Sequence, residues 1–134
     1  MKYLLDTNIC IYIIKQKPPI VLERLQKSEV NEIGISVITL AELEYGVAKS
    51  SFPERNKLAL VQFLAPFEIL PFSETAAAVY GRIRSDLEKS GQIIGPYDLL
   101  IGAQALSEKL TLVTNNEREF QRIPGLTIEN WVVL

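Results

Sequence analysis

Hydrophobic positions along the chain fall into two kinds of run. Short, mostly apolar stretches recur at "KYLLD" (2–6), "EIGIS" (32–36), "EILPF" (68–72) and "LTLVT" (110–114). Their two faces are apolar together, the pattern of strands that helices cover on both sides of a parallel sheet. Between them lie longer segments of helical character. "ICIYIIKQ" (9–16) follows three capable N-caps in Asp6, Thr7 and Asn8 and stops before Pro18 and Pro19, where "PIVLERLQKS" (19–28) begins on a proline suited to a first turn. Further helices are predicted over 37–50, 53–67, 73–91, where Ser73 caps the start and Gly91 the end, and 96–109, which opens on Pro96. "LTIENW" (126–131) is expected to close the sheet at one edge. Strands separated by helices predict an α/β sandwich with a mostly parallel sheet, and no repeat, linker or low-complexity tract interrupts it.

Length and composition narrow the chemistry. The 134 residues suit one domain (1–134) with a single core. Fourteen Lys and Arg against sixteen Asp and Glu leave a net charge of −2, so phosphate binding has to rest on local cations. The chain has no histidine and one cysteine, Cys10, which excludes internal disulfides, His- or Cys-rich zinc sites and every triad built on histidine. Cys10 lies in an apolar run and reads as a small core hydrophobe. No apolar stretch is long enough to span a bilayer, so no membrane partner is expected and a cytoplasmic location is. The apolar fraction of 48% and mean hydropathy of +0.15 leave room for an apolar partner surface.

The acids then stand out by their placement. Ligands of open α/β sheets bind beyond the carboxyl ends of the strands. Asp6 sits at one such end and Thr114 to Asn116 at another. Asp6 alone reads equally as a helix cap, and Asp98, in the first turn of its helix, as a charge that suits the helix dipole. Gly102 and Ala105, four and seven residues after Asp98, leave space for a neighbouring backbone or a ligand. On the helix after "EIGIS" a wheel puts Glu44 amid Leu40, Ala41, Val47 and Ala48, hence buried, and Glu42 at the margin beside Thr39 and Gly46, where a cleft acid would stand. Asp6, Glu42 and Asp98 gathered in one pocket would repel unless protonated or bound to a divalent cation, and their hard oxygens suit Mg²⁺ or Mn²⁺.

"LLDTN", "SVITLAELEYG", "IGPYDLLIGAQAL" and "LTLVTNNEREFQRIPGLTIENW", in this order and spacing, resemble the successive motifs of VapC-type toxins, which are PIN-domain ribonucleases. The resemblance runs nearly end to end. It implies a three-layer α/β/α sandwich and a metal-dependent endoribonuclease site formed by Asp6, Glu42 and Asp98, and it selects Glu42 over Glu44. It also implies a cognate VapB-type antitoxin that blocks the cleft, operator DNA bound only through that antitoxin, a homodimer, and a structured RNA substrate such as a tRNA. The apolar N-terminal helices are the expected surface for the antitoxin or a second copy. One position departs from the wider family pattern: an Asp is common where Asn116 stands. Asn116 can hold a water or a phosphate but adds no charge, and Glu119, one helical turn on, can replace it. Thr7, Asn8, Ser36 and Thr114 are suited to orienting the carboxylates.

With acids holding Mg²⁺, water attack in line on the phosphate would leave a 5′-phosphate and a 3′-hydroxyl. The metal-free route to a cyclic phosphate relies on an acid and base, most often histidine, and none is present. The alternative from another class is a non-cleaving PIN-like module that binds RNA or antitoxin, to which Asn116 lends weight. A phospho-acceptor domain would need a second acid beside Asp6 and a lysine at a late strand end, and the chain has neither.

Overall fold

The computed structural model describes residues 1–133. Five strands, β1 (Tyr3–Leu5), β2 (Ile33–Ser36), β3 (Glu68–Leu70), β4 (Thr111–Val113) and β5 (Ile128–Glu129), form one sheet in the order β3-β2-β1-β4-β5, every pairing parallel. The helices are α1 (Thr7–Lys15), α2 (Pro19–Gln26), α3 (Val37–Ala48), α4 (Pro53–Leu64), α5 (Glu74–Lys89), α6 (Pro96–Ser107) and the single turn α7 (Glu117–Phe120). A 3₁₀ turn at Val30–Glu32 and α7 were not expected from the sequence. β5 does close one edge, with β3 at the other.

Strand alternation sorts the core into two layers. Leu4 of β1 and Leu112 of β4 point to one face, where Ile83 and Leu87 of α5, Leu99 and Ile101 of α6 and Phe120 of α7 pack on them. Tyr3, Leu5 and Val113 point to the other, against Ile9, Cys10 and Ile13 of α1, Val21 of α2, Leu43 of α3 and Leu60 of α4. The product is an α/β/α sandwich in which β1 and β4 are covered on both sides, which is why their runs are apolar without alternation. Cys10 is fully buried in the second layer, and burial pushes its thiol well above its ordinary range.

Gly102 of α6 has a packing role that differs from the sequence reading. A Cβ there would lie 2.6 Å from Ile123 Cδ1 and 3.4 Å from the Phe120 ring, so the missing side chain admits the α7 segment rather than a ligand. Ala105, one turn further, is likewise buried within the same layer. That docking fixes where α7 sits against α6, and both carry candidate acids.

Candidate functional site

Asp6 follows the last residue of β1 and is 2% exposed. Its backbone N–H donates to Val113 O, so strand pairing with β4 fixes it. One carboxylate oxygen, Oδ1, accepts the Thr7 N–H at 2.8 Å and so caps α1; the other, Oδ2, accepts the Thr114 hydroxyl at 2.8 Å. Burial raises the pKa of Asp6; the bonds from Thr114 and Thr7 oppose this, and the charges of Glu42 and Glu119 add to it.

Glu42 reaches the same place from α3, which starts on β2's last residue, Ser36, as its N-cap. Its Oε1 accepts the Thr7 hydroxyl at 2.7 Å. Glu44 is outside this group, half exposed and paired with Lys57. The wheel's placement of Glu44 in the core is therefore corrected, while Glu42 is half-buried at the margin where the wheel put it. Ala41 and Ala48 lie on an exposed face, while Thr39 and Leu43, flanking Glu42, are buried. Alanine and leucine are common on either face of a helix, which is what misled the wheel.

Asp98 lies in the first turn of α6, after Gly95 and Pro96. Its Oδ2 accepts from Asn116 Nδ2 at 3.3 Å, and the same amide donates to Glu119 Oε2 at 2.8 Å. Asp98 is pushed up to about 7, first by burial, then by a hydrogen bond shared with Glu119 and by the charges of Asp6, Glu119 and Glu42. Asn116's backbone N–H donates to Thr114 Oγ1 at 2.9 Å. All five candidates, Asp6, Glu42, Asp98, Asn116 and Glu119, are thus joined through Thr7 and Thr114 by one run of hydrogen bonds at the carboxyl ends of β1, β2 and β4. Asn8 is exposed and takes no part in it.

No lysine or arginine lies within 4 Å of these acids among the described residues; the ion pairs there are Arg24–Glu129, Lys57–Glu44 and Arg84–Glu88. A cluster of carboxylates held by neutral donors and lacking a counter-charge is chemically suited to a hard divalent cation. As placed, no three of the described acids stand close enough to grip one ion together.

Sequence reading missed Gln104. This buried amide on α6 accepts from the Ser36 hydroxyl and donates to Pro71 O at 3.1 Å, tying the ends of β2 and β3 to the helix that carries Asp98. The available signal was a glutamine inside an otherwise apolar run, "IGAQA".

The profile of the PIN domain matches residues 3–126. Ribonuclease VapC2 of Rickettsia felis is 51% identical over 134 residues, covering 98% of each chain, and the tRNA(fMet)-specific endonuclease VapC of Salmonella typhimurium is 46% identical over 131 residues with the same coverage. Among solved structures, DNA-bound VapBC from Salmonella typhimurium superposes with a TM-score of 0.93 at 46% identity, covering 98% of both chains. VapBC2 from Rickettsia felis bound to a promoter DNA fragment gives 0.90 at 47% identity, covering 98% of this chain and 99% of that one.

Proposed function

The chain belongs to the PIN-domain family, among the VapC ribonucleases, and on that premise we propose that it is the toxin of a toxin–antitoxin pair, a metal-dependent endoribonuclease that cuts a structured RNA in the cytoplasm. One observation carries the reading of the site: the unbroken run of hydrogen bonds joining Asp6, Glu42, Asp98, Asn116 and Glu119, with no lysine or arginine within 4 Å of these acids among the described residues. When bound, Mg²⁺ or Mn²⁺ supplies charge to offset that developing on the scissile phosphate and lowers the pKa of a water. Asp6, Glu42 and Asp98 are the residues to hold it. Thr7 and Thr114 fix the aim of Glu42 and Asp6. Asn116 keeps Asp98 and Glu119 together without adding a further negative charge. Initiator tRNA, the substrate in the Salmonella relative's name, is the proposed RNA.

A cavity of about 370 Å³ between α1, α3 and α4 supports the partner assignment. Ile11, Ile14, Leu43, Val47 and Leu60 make it apolar, and Glu42 lines it too, so an antitoxin segment seated there would reach the acids. Operator DNA is then bound through the antitoxin, as fits relatives solved as VapBC on DNA. The exposed side chains of Phe52, Leu58 and Val61 on and before α4 support self-association of the toxin.

Cleavage of a tRNA(fMet) transcript tests the reading. It should stop with EDTA, resume with Mg²⁺ or Mn²⁺, leave 5′-phosphate ends, and be lost in a folded Asp6→Asn protein. EDTA-resistant cleavage, or a 2′,3′-cyclic phosphate, would overturn the mechanism. Tight binding of the transcript without cleavage at any Mg²⁺ or Mn²⁺ concentration would instead favour a binding module, the reading that Asn116 and the loose spacing of the acids leave as second.

A further inference from the structure

The two helical layers carry unlike cavities. On the α1–α3–α4 side lies the apolar groove; on the opposite layer, a cavity of about 420 Å³ opens between α5 and the turn after α7. Its lining includes Arg82, Arg122, Ser90, Gln92 and one carboxylate, Asp86. Neither guanidinium has a carboxylate within 4 Å among the described residues. Arg84, two residues from Arg82, shows the contrast, being taken up by Glu88 and the Tyr80 hydroxyl.

Arg122 links this cavity to the acids. Its backbone N–H donates to Glu119 O at 3.0 Å, and its Nη1 donates to Ile93 O at 2.7 Å in the loop that leads into α6 and Asp98. One donor of its planar fork is thereby used and the others remain. The chain's net charge is −2 and the acids themselves repel a polyanion, so an RNA strand crossing them needs a local cationic hold. Paired guanidiniums are suited to phosphate because their N–H forks match its oxygens.

We propose that the Arg82–Arg122 cavity holds a backbone phosphate of the RNA beside the scissile bond, so that the strand leaves the acids over the α7 turn, on the layer opposite the apolar groove. The assignment rests on the endoribonuclease reading. Clamping Ile93 O would by itself account for Arg122, but not for Arg82, which is exposed on α5.

The test is binding of a fluorescein-labelled tRNA(fMet) transcript, read by anisotropy over a series of KCl concentrations in the Asp6→Asn background, where the RNA stays whole. Arg82→Gln and Arg122→Gln should each weaken binding and each lower the slope of log K against log[KCl] by about 0.7 to 0.9. Arg122→Lys, which keeps the charge and loses the fork, should keep the slope. With Asp6 intact, the Gln variants should raise KM several-fold and leave kcat in place. Unchanged slopes and KM in both Gln variants would overturn the proposal, as would an Arg122→Lys protein that loses the slope as fully as Arg122→Gln. A parent protein that cuts the transcript while the variants behave like it refutes only this cavity; a parent that neither binds nor cuts refutes the nuclease reading beneath it.

Discussion

Asp6 divides its two carboxylate oxygens between tasks, one capping α1 and the other receiving Thr114, so helix cap and site residue describe the same side chain. Asp98 carries the measurable consequence of crowding. Its carboxyl is raised from 3.8 to about 7 by burial first and by Glu119 next. Between those values the folded, metal-free protein keeps a proton that the unfolded chain has released, so the stabilisation present at acid pH is lost as pH rises through about 7. The melting temperature of metal-free protein should therefore fall from about pH 4 to about pH 8, and Asp98→Asn should flatten the fall. A melting temperature that climbs over that interval would contradict the assignment. Mg²⁺, which prefers the ionised carboxylates, should gain affinity over the same range. Glu42 and Glu44 separate by their partners: Thr7 for one, Lys57 for the other. Glu42→Gln should abolish most cleavage and most of the rise in melting temperature that Mg²⁺ gives. Glu44→Gln removes a half-exposed ion pair and should change stability by less than about 1 kcal/mol with the rate kept. The reverse outcome in melts and rates would move the site to Glu44.

Among the elements, α7 depends most on a single neighbour. Phe120 and Ile123 pack where Gly102 has no side chain, and Asn116 and Glu119 are carried with them. Gly102→Val should destabilise the fold by roughly 1–3 kcal/mol through overpacking. It should also slow cleavage by up to about 100-fold, since displacement of a positioned group by about 1 Å can cost that much. Wild-type rates in a folded Gly102→Val protein would show that Glu119 and Asn116 are idle. The same element marks where sequence reading ended. β1 and β4 were legible because apolar residues on both faces admit few other structures, and α5 and α6 because a cap or a first-turn proline fixes where each begins. "EREF" has no apolar period, and its helical turn is imposed by burial of Phe120 against α6. Asp6 stood out at a strand end, Asp98 in a first helical turn and Glu42 on a helix margin, but their grouping depends on contacts such as Asp6 to Thr114, 108 positions apart, that no local pattern encodes. Glu42 was chosen over Glu44 by family likeness; the hydrogen bond from Thr7 places Glu42 next to the Asp6 end of β1, while Glu44 pairs with Lys57 instead.

At the scale of the molecule, the two helical layers carry cavities of different lining, one apolar and reaching Glu42, the other holding Arg82 and Arg122. Gly46 lines the apolar groove, and a Cβ built there meets nothing within 4 Å. Gly46→Phe should fill the groove, weaken capture by the co-expressed antitoxin, and leave RNA cleavage and folding intact, with some gain from removing a glycine inside α3. Undiminished antitoxin affinity in that variant would place the partner elsewhere.

The strand order sets a timetable for synthesis. β1, β2 and β3 are neighbours in the sheet and arrive first, while β4 must come back to the free side of β1 after more than a hundred residues have been made. A growing chain has Asp6 and Glu42 early, but Asp98 comes late, and Thr114, Asn116 and Glu119 follow with or after β4. Until β4 has been made and has paired with β1, the growing chain therefore holds Asp6 and Glu42 apart from the partners that complete the candidate site.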